Sequence, residues 1–462
     1  MLEVSFKNLG SIKNGTVKLN KLTILAGENN TGKTYASYAI YGLLKHLANV
    51  KVTYPALEAA DLNDKGEIKV DFSDFLNSYD ELVATINKEF SADLYQIFST
   101  SQNAFQKSFV EVDIDKDLFI KYMNKMGYEH STTFGKAQFS FELKKEPGSS
   151  VAYIYYFYKG EYEPSKVSLL KKIIESILDD IVFEPFKKDV FILPAERSGL
   201  NLFYKELNAN RNELVHKIGI DMLNDPEQLK LQVEKFITPY STPISDYITF
   251  LNRLERRSQV ESEFKDLANE LQNNVIKGSY SIENQNIVYQ PLSAKGKSSK
   301  PKNEGIQLHV ASSTAKTLFG LVFYLNYMAK EGQTLIIDEP ELNLHPDNQR
   351  KMARILAKLA NRGINVLIST HSDYIIKEFN NLLMLGKEFP DKIELMKKYK
   401  YSESEILKQE DISPYVFIDS KIKPMEIDDL EGIIAETFDD VINQYNDSVD
   451  EIYLAIREGL EN

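Results

Sequence analysis

Eight residues near the amino terminus have the types and spacing of a phosphate-binding loop. Residues 27–34 read Gly-Glu-Asn-Asn-Thr-Gly-Lys-Thr and fit the pattern G-x-x-x-x-G-K-[ST] without a mismatch. In this pattern the glycines let backbone amides turn towards phosphate oxygens, the lysine reaches the terminal phosphates, and the final hydroxyl binds Mg²⁺. We therefore predict that the loop binds ATP and Mg²⁺, with Lys33 also catalytic and Thr34 also a metal ligand. The predicted nucleotide-binding residues of the loop are Gly27, Asn29, Asn30, Thr31, Gly32, Lys33, Thr34 and Tyr35.

Two carboxylates follow an apolar stretch much later in the chain. Residues 335–337 read Leu-Ile-Ile and precede Asp338 and Glu339. A buried strand that ends in two acids places both at the carboxyl edge of a sheet, where α/β proteins bind ligands. We expect Asp338 to hold the metal and Glu339 to deprotonate the water that attacks the γ-phosphate. The alternative is a pair of solvated acids that begin a turn at Pro340.

The elements that must position these residues alternate between strand and helix. Apolar runs and turn residues predict strands at 2–6, 15–19, 22–26, 191–193, 306–310, 334–338 and 364–368. Helical spacing of apolar residues predicts helices at 35–47, 81–99, 165–181, 313–330 and 346–361. Hairpins are predicted over 138–143 with 151–158, and over 278–291. Such alternation indicates an α/β sheet.

A helical insertion is predicted over residues 200–276. Its last helix has one apolar stripe formed by Val260, Phe264, Leu267, Leu271 and Val275. A longest helix of about 30 residues spans only ~45 Å, which is too short for a long coiled-coil arm. The polar stretch 293–305 follows the next hairpin and is expected to be a mobile connector. A nucleic-acid contact is the alternative role for its basic residues, which are Lys295, Lys297, Lys300 and Lys302.

Residues 338–346 resemble a known family. They read Asp-Glu-Pro-Glu-Leu-Asn-Leu-His-Pro and are similar to the D-E-P-E-x-x-L-H-P run of ABC-type ATPases of the OLD/RecF-like, SMC-related group. Residues 22–25 and 367–372 match the same group, so the resemblance covers about 1–50 and 305–375. It implies an α/β fold, a P-loop NTPase of ABC-ATPase type with a split core sheet and a helical insertion. It also implies that His371 is the catalytic switch histidine; the alternative is a histidine that merely closes a strand.

Residues 311–316, Ala-Ser-Ser-Thr-Ala-Lys, occupy the place of the family's signature segment. Ser312 and Ser313 would cap a helix, and the resemblance implies that they bind the nucleotide of a partner subunit when two heads close. Thr314 stands where such segments usually have glycine, and the transporter-type L-S-G-G-Q is absent. An ordinary helix cap without a contact across subunits is the alternative.

Residues 194–197, Pro-Ala-Glu-Arg, resemble a run of OLD-like defence ATPases that lies between the P-loop and the helical insertion. Arg197 could contact a phosphate or a neighbouring head, or form a structural salt bridge. The glutamine of the family's Q-loop has no secure position in the sequence.

The acidity of the chain is concentrated in its tail. From residue 401 onward there are 17 Asp and Glu against 4 Lys and Arg, which accounts for the net charge of −13. The tail is predicted to form an acidic helix or helix pair that caps its own domain or docks on a partner with a basic surface. Its apolar face consists of Ile434, Phe438, Val441, Tyr445, Val449, Ile452 and Ile456.

OLD-type nucleases continue at this point into a Toprim domain. Glu431 and Gly432 resemble the turn of that domain only in residue type, because no apolar strand precedes them and no D-x-D follows. We therefore expect any nuclease to be a separate polypeptide.

Composition excludes several other classes. The chain of 462 residues is 43% hydrophobic and 27% charged, as in globular proteins, and has no cysteine and only six scattered histidines, which excludes thiol chemistry and argues against zinc. No run of apolar residues reaches the length of a membrane span and no signal peptide is recognised, so we expect a cytoplasmic protein without a membrane partner. Residues 1–400 are neutral, so nucleic acid is a possible but not an implied partner.

These features predict four regions and one leading function. The regions are an ATPase lobe with the P-loop (1–199), the helical insertion (200–276), a second ATPase lobe (277–400) and an acidic docking or capping segment (401–462). The leading hypothesis is an ATP-hydrolysing subunit that resembles those of the anti-phage systems Septu and PARIS. It would form a head-to-head homo-oligomer and control a separately encoded effector, a nuclease.

Three alternatives belong to other classes. A RecF/SMC-like DNA-repair ATPase would clamp DNA in a basic channel, which the neutral body supports only weakly. A transporter's nucleotide-binding subunit conflicts with the large insertion and the absent signature. The third alternative is a scaffold that binds ATP but hydrolyses little of it. Only a measured rate of ATP hydrolysis separates it from the leading hypothesis.

Overall fold

The computed structural model describes most of the chain. It covers residues 2–52, 54–60, 62, 65–73, 78–134, 139–158, 164–183, 189–207, 240–254, 260–283, 286–292 and 305–461. Part of the predicted insertion (208–239) and the lysine-containing stretch 293–304 lie outside these ranges.

The amino-terminal part begins with three strands and a helix, as predicted. They are β1 (Leu2–Leu9), β2 (Ile12–Lys18), β3 (Leu22–Gly27) and α1 (Lys33–Leu47). All six residues of β3 are buried, which is typical of a central strand covered on both faces. The strand and the helix are joined by the residues of the phosphate loop.

A second, antiparallel sheet follows. The next elements are α2 (Pro55–Glu58), β4 (Lys65–Asp71), α3 (Tyr79–Ile97), β5 (Phe109–Ile114), α4 (Lys116–Lys125), β6 (Tyr128–Phe134), β7 (Phe139–Lys145), β8 (Val151–Tyr158), α5 (Pro164–Phe183) and β9 (Val190–Leu193). The small sheet has the order β4-β8-β7-β6. It includes the predicted hairpin, and α3 and α5 confirm the two helices predicted beside it.

The described part of the predicted insertion is helical but differs in one detail. It contains α6 (197–207), α7 (Thr242–Arg253) and α8 (Lys265–Leu271), which continues into a π turn at Gln272–Ile276. The prediction of a helix through Val260 was wrong, because this residue lies before α8 and is 71% exposed. Ser262 lies just before the helix: its hydroxyl accepts from the amide of Phe264 and donates to the carbonyl oxygen of Ala329. The other four residues of the predicted stripe are buried.

The next part restores the alternation of strands and helices. Its elements are β10 (Gly278–Glu283), β11 (Asn286–Pro291), β12 (Ile306–Gln307), α9 (Ser313–Tyr327), β13 (Thr334–Asp338), α10 (Pro346–Asn361), β14 (Asn365–Thr370), α11 (Asp373–Met384) and α12 (Lys392–Tyr399). The strand predicted at 306–310 is wrong beyond Gln307, because residues 308–310 form a 3₁₀ turn closed by the bond from the Ala311 amide to the Leu308 carbonyl. The predicted helix at 346–361 is confirmed residue for residue.

The tail contributes strands to the main sheet. Its elements are β15 (Ile412–Ile418), β16 (Lys421–Pro424), β17 (Ile427–Asp428), β18 (Gly432–Ile433) and α13 (Glu436–Glu461). The main sheet has nine strands in the order β5-β1-β2-β16-β15-β3-β14-β13-β9, and its five strands from β15 to β9 are parallel. The prediction treated 401–462 as an appended segment, but β15 pairs with the phosphate-loop strand itself.

The helix α13 ends the chain with a largely exposed apolar face. Among its described side chains, Tyr445, Val449, Ile452 and Ile456 are all solvent-exposed. Ile434, which we placed on the same face, lies before the helix. The tail is thus divided between strands inside the ATPase sheet and a helix outside it.

Candidate ATP site

The phosphate loop leaves β3 at the carboxyl edge of the parallel strands. Gly27 and Gly32 have φ angles of +141° and +106°, which side chains with a Cβ rarely adopt. A Cβ on Gly27 would lie 2.8 Å from the carbonyl oxygen of Phe417 in β15, and one on Gly32 would lie 2.7 Å from Ser11 Oγ. Both motif glycines are therefore required by backbone conformation and by close neighbours.

The side chain of Lys33 folds back over the earlier residues of the phosphate loop. Its Nζ donates to the carbonyl oxygens of Gly27 (2.9 Å) and Glu28 (2.6 Å). Burial lowers the pKa of Lys33, and the nearby carboxylates of Glu339 and Asp338 oppose that shift. The ammonium group is thus near both predicted carboxylates, as a lysine that bridges terminal phosphates requires.

Asp338 joins the two distant motifs. Thr34 Oγ1 donates to Asp338 Oδ2 at 3.0 Å, and Ser369 Oγ donates to the other oxygen. Burial is the main cause that raises the pKa of Asp338 to about 6, since the two hydroxyl groups act in the opposite direction. The partly buried hydroxyl of Thr34 and the buried carboxylate of Asp338 suit Mg²⁺, which usually binds one or two protein oxygens and completes its shell with phosphates and water.

Glu339 directly follows the metal-ligand candidate in a strained conformation. Its φ is +52°, in the left-handed region that is uncommon for residues other than glycine. Its amide donates to the carbonyl oxygen of Ser369 at 3.0 Å, while its side chain is partly exposed. The carboxylate can therefore reach a ligand at this edge while its backbone is held from inside.

His371 lies between two carboxylates. Its Nδ1 is 3.8 Å from Glu339 Oε1 and 3.4 Å from Glu341 Oε1. Glu341 Oε1 also accepts from Thr370 Oγ1 and from the amide of His371, both at 2.8 Å. Glu341 Oε2 is buried and has no hydrogen-bond partner among the described residues, and burial raises the pKa of this carboxyl. The nearest acid to His371 is thus one that we had not predicted as a site residue.

The signature-like segment begins α9 as predicted. Ser312 Oγ caps the helix by accepting from the Ala315 amide at 3.2 Å. Thr314, in the usual place of a glycine, donates to the carbonyl oxygen of Asn343 at 2.9 Å. In the described residues, no hydrogen bond or ion pair links Ser312 or Ser313 to the phosphate loop of the same chain.

Arg197 lies inside the protein beside the two predicted carboxylates. The residue is buried, and it donates to backbone carbonyl oxygens of Pro194, Asp338 and Glu339. Within the described part of the chain it forms no ion pair, so the structural salt bridge is not found there, whereas a contact with a phosphate or with a neighbouring head stays a prediction. Its hydrogen bonds attach it to the backbone of both predicted site carboxylates.

Residues 1–376 match the model of a family described as AAA ATPase domain. This chain belongs to that family. It is an ATPase with an α/β P-loop NTPase fold, and the match includes the phosphate loop, both carboxylates and His371. No curated protein matches this ATPase closely enough to count as a relative.

Solved structures with a loose similarity to this ATPase are heads of Smc proteins. The Smc head domain with an extended coiled coil bound to the C-terminal domain of ScpA, from Pyrococcus furiosus, is 12% identical with a TM-score of 0.29 and covers 96% of this chain and 100% of that one. The SmcHead bound to the C-winged helix domain of ScpA is 12% identical with a TM-score of 0.34, covering 92% and 97%. The SMC head domain from Thermotoga maritima is 8% identical with a TM-score of 0.29, covering 92% and 98%.

The remaining loop residues lie at the surface of this ATPase. Asn29 and Asn30 are exposed, and Thr31 Oγ1 donates to the Glu28 carbonyl at 2.8 Å. The ring of Tyr35 packs against that of Phe98, with 5.2 Å between the ring centroids. None of the described helices is long and apolar enough to cross a membrane.

Sequence reasoning missed Ser369, Glu341 and Asn343 as site residues. The first two stand inside the family-like runs 367–372 and 338–346, so the motifs already contained the signal. Asn343 has a φ of +60°, and its side-chain Nδ2 donates to Thr317 Oγ1 at 3.0 Å. Together with Thr314 it joins the carboxylate loop to the signature-like helix.

Proposed function

We propose that this ATPase is an ABC-type, SMC-related subunit of a multi-component bacterial anti-phage defence complex, in which ATP-driven assembly controls a separate effector. The observation that carries the ATP-site assignment is the bond between Thr34 and Asp338, since it unites two motifs whose residues are 304 positions apart in the chain. The defence role is supported by the resemblance of residues 194–197 to a run of OLD-like defence ATPases and by the lack of a recognisable Toprim motif after Glu431 and Gly432. Residues 338–346 resemble the OLD/RecF-like group more broadly, and the subunits of Septu and PARIS are the defence ATPases that the chain resembles.

Each residue of the site has a role in the proposed reaction. The loop amides and Lys33 bind the phosphates of ATP, and Thr34 with Asp338 holds Mg²⁺, which neutralises charge on the transferred phosphoryl group. Glu339 accepts a proton from the attacking water. His371, 3.8 Å from Glu339, contacts the γ-phosphate and responds to its loss.

Assembly of two heads is the second part of the proposal. Ser312 and Ser313 are exposed at the amino end of α9, a helix of 15 residues, where free amides favour a phosphate. In the closed homo-oligomer they bind the γ-phosphate held by the partner subunit. The effector is a separately encoded nuclease, and the complex acts in the cytoplasm.

The decisive experiment compares Glu339→Gln and Lys33→Ala with the wild type. Loss of a general base typically lowers turnover by about 10²–10⁴-fold, so Glu339→Gln is expected to bind ATP, to hydrolyse it at least about 100-fold more slowly and to accumulate oligomers in size-exclusion chromatography. Lys33→Ala is expected to lose ATP binding. Glu388→Gln, at an exposed glutamate, is the matched control. Equal turnover of Glu339→Gln and wild type would refute the catalytic assignment, and absence of ATP-dependent oligomers would refute the assembly.

A further inference from the structure

Arg197 is a charged side chain in an unusual environment. It is 1% exposed, and its hydrogen-bond acceptors are backbone carbonyl oxygens of Pro194 (3.1 Å), Asp338 (2.5 Å) and Glu339 (2.6 Å). Burying a guanidinium group without a paired carboxylate is unfavourable unless its donors are well used. Since all of its acceptors among the described residues belong to the main chain, we infer that Arg197 holds a specific arrangement of that main chain.

The main chain in question is the turn that carries Glu339. This residue has a φ of +52°, and such a conformation is unfavourable for a residue with a Cβ and persists only where surrounding contacts enforce it. The guanidinium group spans two successive carbonyls from one side, through NH1 and NH2. The amide of Glu339 is held from the other side by Ser369. The amide and the carbonyl group of Glu339 are thus both held by hydrogen bonds, so the backbone position from which its side chain projects is fixed.

The segment that carries Arg197 is itself anchored to two other parts of the ATP site. Glu196 accepts from the hydroxyl of Tyr38 in α1, the helix of the phosphate loop, at 3.1 Å. Asn201 donates to the carbonyl oxygen of Lys316 in the first turns of α9 at 2.7 Å, and it accepts from Tyr247 at 2.8 Å. These hydrogen bonds hold the segment around Arg197 in a fixed position relative to the helix of the phosphate loop and to the signature-like helix.

We propose that Arg197 is a positioning residue for ATP hydrolysis: it holds the left-handed turn that directs Glu339 towards the attacking water. It acts through Glu339 and does not touch the nucleotide. The inference depends on the proposed function of Glu339 as the general base. Its expected signature is a loss of turnover with ATP binding retained, because the contacts of Thr31 and Lys33 lie within the phosphate loop itself.

The test uses Arg197→Lys in the full-length chain. Lysine keeps the charge but lacks the planar fork of two nitrogens, so it cannot hold the two carbonyls in the fixed geometry that the guanidinium group imposes. We expect kcat to fall about 10- to 100-fold, as displacement of a catalytic group by about 1 Å can cause, while KM and the Kd for ATP change less than about threefold. Arg354→Lys is the matched control, because Arg354 is a half-buried arginine that pairs with Glu378 away from the site. The control is expected to lower Tm but not kcat.

Three outcomes would overturn the inference. The first is wild-type kcat in Arg197→Lys; the second is an equal fall of kcat in Arg354→Lys at the same loss of Tm. If Arg197→Lys does not fold, Arg197→Gln removes the buried charge and keeps a donor, and unfolding of both variants would assign Arg197 to stability alone. Glu339→Gln is measured in parallel. If it retains turnover, the proposed function fails; if it is inactive while Arg197→Lys is fully active, only this inference fails.

Discussion

The two sides of the ATP site are held in place by contacts of different range. On the phosphate-loop side, Lys33 bonds to carbonyls five and six residues before it and Thr31 to one three residues before it. On the carboxylate side, Asp338 is bound by a hydroxyl 31 residues away and by Arg197, 141 residues away. The first side is determined by its own short sequence, whereas the second depends on the assembled sheet.

This difference predicts where substitutions have large effects. Changes on the carboxylate side remove contacts that no neighbouring residue replaces, so they should alter activity or stability strongly. Changes of single side chains in the phosphate loop, other than Lys33 and Thr34, leave most of its backbone contacts intact.

The largest effect is expected for Asp338→Asn in the metal-free protein. Burial raises the pKa of Asp338 from 3.8 to about 6, so its ionised form is disfavoured by folding. The stability linked to this proton is fully present below pH 3.8 and is lost as the pH rises through 6, a difference of up to about 3 kcal/mol. In EDTA at pH 8, Asp338→Asn should therefore be more stable to urea than the wild type, and the gain should vanish near pH 4. Asp80→Asn, at an exposed aspartate, should show no such gain. A less stable Asp338→Asn at pH 8 would contradict the prediction.

The next effect concerns Glu341, the acid nearest to His371. Glu341→Ala removes the acceptor for the Thr370 hydroxyl and the His371 amide, so the imidazole loses its orientation. We expect kcat to fall about 100-fold with little change in the Kd for ATP. Glu341→Gln keeps an acceptor oxygen and should retain more activity than Glu341→Ala. Identical rates for the two variants would show that the acceptor is irrelevant.

Ser369→Ala should have an intermediate effect. The hydroxyl of Ser369 donates to Asp338, so its removal weakens the orientation of the carboxylate that we propose as the metal ligand. The expected result is a fall in kcat of about tenfold, which corresponds to about 1.4 kcal/mol, and a higher Mg²⁺ concentration for half-maximal activity. Ser372→Ala removes the cap of α11 and should lower Tm without changing the Mg²⁺ requirement. An unchanged Mg²⁺ titration in Ser369→Ala would exclude the proposed role.

The same difference in range explains which features could be predicted from sequence. The phosphate loop and the strand ending at Asp338 were recognised because their residues are contiguous, and α1, α10 and β13 follow from local periodicity. The roles of Arg197 and Ser369 depend on pairing between strands and helices far apart in sequence. No local pattern specifies which carbonyl a buried arginine will reach.

The strand β15 illustrates a second limit. Residues 412–418 contain Pro414, and a proline argues against a central strand because it lacks an amide hydrogen. In the structure, β15 pairs with β16 only from Tyr415 onward. Pro414 therefore lies before the first residue of β15 that pairs with β16. The strand is central through its pairing with β3, and its place beside the phosphate loop could not be derived from the acidic composition of the tail.

The smallest effect is expected on the phosphate-loop side, for Thr31→Ala. The Thr31 hydroxyl donates to the Glu28 carbonyl at 2.8 Å, and this bond is exposed to water. Water can replace it, and a net hydrogen bond of this kind contributes only about 0.5–1.5 kcal/mol. Since part of that contribution is recovered by solvation, the Kd for ATP should rise no more than about threefold and kcat should stay near the wild-type value. Isothermal titration calorimetry and steady-state kinetics measure both, with Thr34→Ala as the contrasting variant whose hydroxyl binds Asp338 directly. A loss of ATP binding in Thr31→Ala as large as that in Thr34→Ala would show that the loop is less self-sufficient than its short-range contacts indicate, and the contrast between the two sides of the site would not hold.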